Sequence, residues 1–86
     1  MNKNENSFSI KKAEVQKIVD SFFPKLTPRE RDIVRLHLGI TDGHPRVFEE
    51  ICMLFGTSKD EIQNQFDSVV ERYPEETKRI YEILYT

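Results

Sequence analysis

Val47-Phe48-Glu49-Glu50-Ile51-Cys52-Met53-Leu54-Phe55-Gly56-Thr57-Ser58-Lys59-Asp60-Glu61-Ile62 is the stretch that decides the fold of this 86-residue chain. Its first part is short and apolar at Val47, Phe48, Ile51, Cys52, Leu54 and Phe55, which predicts a helix packed along one side. Gly56 ends that helix, because glycine accepts the left-handed backbone of a helix C-terminus without a side-chain penalty. Thr57-Ser58 opens another, with Ser58 as cap and Glu61 placed to complete a capping box. Ile62, Phe66, Val69, Val70 and Tyr73 form its inward stripe. Two short helices meeting at a tight glycine turn outline a helix-turn-helix over residues 47–72.

Working upstream, Thr27-Pro28-Arg29-Glu30 is a helix start in which Thr27 caps, Pro28 takes the first helical position and Glu30 completes a capping box. Ile33, Val34, Leu36 and Leu38 face inward, and Gly39 closes the helix. Ile40 to Arg46, with Asp42-Gly43 and Pro45, has turn chemistry and no periodicity, so it reads as a loop. Before it, Ile10, Val15, Ile18, Val19, Phe22 and Phe23 recur at helical spacing, which predicts a first helix over 9–23 with Ser9 as cap and Pro24 as stop. Residues 1–8 are expected to be a flexible tail, and 9–86 a single domain. Downstream, Pro74 interrupts the stripe and starts a last helix over 75–85, with Ile80, Ile83 and Leu84 inward. Nothing alternates at the period of a strand, so the fold class is all-α, a small bundle of about five helices containing the helix-turn-helix.

Composition narrows the function classes. A chain of this length holds one core, and it buries only roughly 60% of the surface its unfolded form exposes. The single cysteine, Cys52, excludes an internal disulfide and reads as a small core residue, which points to a reducing, cytoplasmic setting. The polar stretch Asn2 to Ser7 resembles neither a signal peptide nor a membrane anchor. His37 and His44 are too isolated to bind metal and read as surface or loop residues. With no glycine-rich phosphate loop and no nucleophile–base motif, neither an enzyme nor a cofactor is expected. The net charge of −2 is uneven: residues 1–46 carry +3 and residues 47–86 carry −5. A module that grips nucleic acid is expected to concentrate positive charge on its reading element, and here the basic half comes first.

Leu26-Thr27-Pro28-Arg29-Glu30-Arg31, then Val34-Arg35-Leu36, Leu38-Gly39-Ile40, Asp42-Gly43 and Phe48-Glu49-Glu50-Ile51 together resemble region 4 of the bacterial primary-type (sigma-70) sigma factors. The resemblance covers roughly half the chain and keeps its internal spacing. It implies a bacterial protein of transcription initiation whose second motif helix enters the major groove at the minus-35 promoter element, while another surface docks on the β flap of RNA polymerase. Carried over by position, Arg35 and Arg46 approach phosphates, Ser58 caps the reading helix at the DNA, and Lys59, Gln63 and Asn64 face base edges. The chemistry suits those roles, since Lys donates to guanine and Gln or Asn pairs with adenine, each good pair being worth roughly 1–3 kcal/mol of discrimination.

The sequence also departs from that family. Glu61 and Gln63 replace two arginines of the usual reading helix, leaving Lys59 to Arg72 with a net charge of −2. Val47 replaces a threonine, and Gln65-Phe66 replaces the usual aliphatic-acidic pair; a Phe66 on the surface would imply a partner, whereas ordinary helical spacing with a slight rotation buries it on the face of Ile62. The partners implied are therefore promoter DNA bound weakly by this domain alone, the polymerase core through its β flap, and, as further candidates, another sigma subunit or a second copy. The alternative function is a protein-interaction module on the same scaffold that has lost most DNA binding.

Overall fold

Helix α1 begins at Lys3 and runs to Phe22 in the computed structural model, which describes residues 3–85. The expected tail is thus helical from Lys3, and its first two residues, like Thr86, lie outside the described residues. Ser9 sits inside α1 and caps nothing. One reason is visible at Phe8: its half-buried ring lies against the loop glycine Gly43, a tertiary contact that polar periodicity does not reveal. Ile10, expected to face inward, is 63% exposed, because Val15, Ile18, Val19 and Phe22 define a face from which it is rotated away.

A single 3-10 turn, Phe23–Lys25, takes the chain around Pro24 into α2 (Pro28–Leu38). The start of α2 is the reciprocal box that its sequence predicts: Thr27 Oγ1 accepts from the Glu30 amide at 3.1 Å, and Glu30 Oε1 accepts from the Thr27 amide at 2.9 Å. Gly39 ends α2 at φ 67°. The loop that follows folds back, its Arg46 amide donating to the Leu36 carbonyl at 3.0 Å. Then come α3 (Phe48–Phe55), the left-handed Gly56, α4 (Lys59–Arg72) and α5 (Pro74–Tyr85). The described residues contain five α-helices and no strand.

Two apolar clusters hold these elements. The larger joins α1, α2, α4 and α5 through Val15, Phe22, Val34, Val69 and Ile80, all fully buried. The smaller joins α2, α3 and α4 through Ile33, Ile51 and Ile62. Phe66 packs against both, so its departure from an acidic residue is a core substitution. His37 is not a surface side chain either: its ring stacks on Phe48 at 4.1 Å and meets the edge of Phe66 at 4.6 Å. Its Nδ1 lies 2.9 Å from the Arg46 carbonyl, which can only accept, so Nδ1 carries the proton. Aromatic packing among His37, Phe48 and Phe66 thereby ties α2, α3 and α4 together.

Candidate nucleic-acid interface

The local chemistry of the turn sets the reading helix. Gly56 at φ 64° sends its amide back to the Cys52 carbonyl, and Ser58 then caps α4 by accepting from the Glu61 amide at 3.2 Å. The reciprocal half of the expected box is missing, because the Glu61 carboxylate takes the Thr57 hydroxyl instead of the Ser58 amide. Helical geometry places Lys59 and Gln63 on one row of α4, with Asn64 on the adjoining row, and all three are exposed. Ile62 between them is fully buried, so this face projects outward from a fixed root. The Ser58 hydroxyl, expected at the DNA, is engaged as the cap.

The cations assigned to phosphate are differently placed. Arg35 lies on α2, where its guanidinium binds Asp32 at 2.9 Å and sits 5.6 Å from the Phe23 ring. It lines an open groove between α1 and α2 together with Arg31 and Asp20, and no residue of α3 or α4 lines that groove. Arg46 immediately precedes α3, and it clamps its own loop by contacting Asp42 at 3.0 Å and the His44 carbonyl at 2.9 Å. That pairing lowers the Asp42 pKa, chiefly through the Arg46 hydrogen bond and then through the His44 amide, and raises that of Arg46. Arg35 therefore does not converge with Lys59, Gln63 and Asn64, whereas Arg46 joins their helix pair at the N-terminus of α3.

A feature that sequence reasoning missed controls the site. Lys59 Nζ binds Glu49 Oε1 at 2.8 Å, from the first turn of α3 to the first residue of α4. The hydrogen bond lowers the Glu49 pKa and raises that of Lys59. At the far end of α4, Arg72 pairs with Glu30 of α2. Residues 47–72 hold six acids and two bases, a net charge of −4, and both bases are taken. Opposite charges on facing elements were legible as residue types. Their pairing required the angle between helices.

No family model matches the chain. Over 57 residues it is 35% identical to the RNA polymerase sigma factor SigA of Nostoc sp. strain PCC 7120, a match covering 66% of this chain and 14% of that protein. The chain is related to RNA polymerase sigma factors. Over 80 residues it is also 28% identical to the RNA polymerase sigma factor SigA of a Bacillus species, covering 91% of this chain and 20% of that one. The chain thus spans a fifth or less of the length of these sigma factors. Among the described residues no helix is long and apolar enough to cross a membrane.

Proposed function

We propose that this chain acts in transcription initiation, in the bacterial cytoplasm, as a region-4-like module that sets α4 against the minus-35 promoter element while another surface rests on the β flap of RNA polymerase. The observation that carries this reading is the outward row of Lys59, Gln63 and Asn64 on a helix rooted by buried Ile62 and Val69. The relationship to sigma factors supports it. Lys59 and Asn64 supply donors that base edges accept, and Arg46 at the start of α3 supplies a positive charge beside them. With four of its cations held by carboxylates, the domain binds duplex weakly by itself. Attachment to polymerase compensates, since a tether raises the effective concentration to the order of millimolar.

The paired cations favour a second reading, in which the scaffold is a protein-interaction module whose DNA contact has been lost. Binding of promoter duplex with and without polymerase, across a salt series, separates the two. Salt-dependent binding that weakens when Lys59 and Asn64 are changed to Ala supports the promoter reading. A stable complex with polymerase or a sigma subunit that never engages the duplex establishes the other.

A further inference from the structure

The outer face of α3 is unusual for a helix that supports DNA reading. Sequence periodicity counted Val47 and Leu54 among its apolar stripe, but only Phe48, Ile51, Cys52 and Phe55 pack inward, at the spacing of one helical face. Leu54 is 65% exposed, Met53 is 81% exposed and Val47 is 52% exposed. Along the helix, Val47, Glu50 and Leu54 follow one another at three- and four-residue steps with Met53 beside them, so the exposed residues form one continuous ridge. Glu50 stands in the middle of that ridge; no close ion pair engages it among the described residues, and Arg46, itself clamped to Asp42, acts on it only at longer range. Asp60 and Glu61, in the first turn of α4, add negative charge on the adjoining element.

From this combination we infer that the outer face of α3 docks a cationic amphipathic helix of another protein, with aliphatic side chains laid along Met53 and Leu54 and Lys or Arg set against Glu50 and Asp60. Charge complementarity selects this occupant. A duplex presents phosphates to the same acids and is repelled, whereas an acidic or neutral helix leaves the central carboxylate, as it is desolvated, with only the distant Arg46 that Asp42 already holds. A second copy docking through the same face would bring Glu50 against Glu50, which disfavours a two-fold dimer. The surface is flexible at its centre because Met adapts to irregular partners. It lies outside the Lys59–Asn64 row, so the inference goes beyond the promoter reading and stands or falls separately from it.

The test titrates the full chain against a fluorescent helical Leu/Lys peptide, with a Leu/Glu peptide of the same spacing as control. The expected result is saturable binding of the first only, weakened by salt, and reduced about 10-fold or more when Met53→Gln and Leu54→Gln are combined, since truncating central contacts at an interface commonly has effects of this size. Glu50→Lys weakens it independently. Both sites are exposed, so helical circular dichroism is retained, and promoter binding by the Gln variant is unchanged. Equal binding by the Gln variant, or no saturable binding, overturns the inference. So does concentration-dependent dimerisation that the Gln variant abolishes, which assigns the face to a second copy, or duplex binding that the Gln variant loses, which assigns it to DNA.

Discussion

Glu49 reaches across the turn to the one cation at the start of the reading helix, and that contact decides what Lys59 is free to do. Both partners are about half exposed, so the bridge adds little stability; what it changes is availability. Glu49→Gln removes the counter-charge, leaves helix and turn intact, and frees the ammonium, placed at the base edges, to reach a flanking phosphate as well. The expected outcome is tighter promoter binding with a steeper dependence of log K on log salt, by about one unit for one added phosphate contact. Fluorescence anisotropy over a salt series measures it, and an unchanged slope means that Lys59 does not meet the backbone. Lys59→Ala in the natural background then weakens binding less than it does alongside Glu49→Gln, because Glu49 competes with the duplex for the charge it removes.

A second residue-scale prediction concerns pH. The Asp42 carboxyl lies below its ordinary value of 3.8, held there first by Arg46 and then by the His44 amide. A group whose pKa is depressed on folding stabilises the fold above its unfolded value, and the contribution is lost as pH falls through the folded value. Arg46 remains protonated throughout that range. The loop clamp should therefore hold at neutral pH and release only in acid, below the usual aspartate range. Faster amide exchange at His44 and Arg46 on acidification, after correction for intrinsic rates and ahead of global unfolding, is the expected readout. Asp42→Asn should abolish that step.

Among the elements, two glycines with nearly the same backbone conformation make a controlled comparison. At Gly56, φ is +64° and an added Cβ would meet nothing within 4 Å, so Gly56→Ala carries only the left-handed penalty of about 1–2 kcal/mol. At Gly39, φ is +67° and the Cβ would stand 2.7 Å from the Pro45 nitrogen and 3.0 Å from the His44 carbonyl carbon, both backbone atoms of the returning loop. Gly39→Ala should cost clearly more, measured as a larger drop in the urea midpoint at unchanged slope. Equal losses would mean that the loop yields. Such differences also define what the chain makes legible in advance. Thr27 and Glu30 carry a local box whose geometry is set within four residues, and it forms. Gly39 and Gly56 stop helices for the same local reason. Ser58 and Glu61 have the same pattern, yet Thr57 captures the carboxylate, because a neighbouring hydroxyl competes for it. Ile10 and Leu54 are apolar but lie off the buried faces, and only packing decides which edge of a stripe is covered. For the candidate site, Lys59, Gln63 and Asn64 come from the resemblance to region 4, carried over by position, and the structure leaves all three exposed. The partners of Lys59 and Arg72 were not legible in the sequence, since each lies on another helix; Glu30 and Arg72 are 42 residues apart and meet only when α2 packs on α4.

At the scale of the whole molecule, the two apolar clusters share one side chain. Val15, Phe22, Val69 and Ile80 hold α1 and α5 together, bringing the two ends of the described chain to one side, while Ile33, Ile51 and Ile62 hold the helix-turn-helix on α2. Phe66 belongs to the rim of both and meets His37 and Phe48 as well. A small domain with modest burial depends on such a link to melt as one unit. Phe66→Ala should cost about 2–4 kcal/mol, somewhat less than a fully buried phenylalanine. More tellingly, it should separate the two clusters. Amides of α3 and of the first half of α4 should exchange at a lower opening free energy than those of α1 and α5, whose cluster retains its buried members. Ile80→Ala provides the contrast, because it opens a cavity where α1, α4 and α5 meet and should lower protection across the molecule together. If Phe66→Ala also lowers protection uniformly, the helix-turn-helix is not an independent folding unit, and the orientation of α4 is set by the larger core instead of by the aromatic contacts around His37.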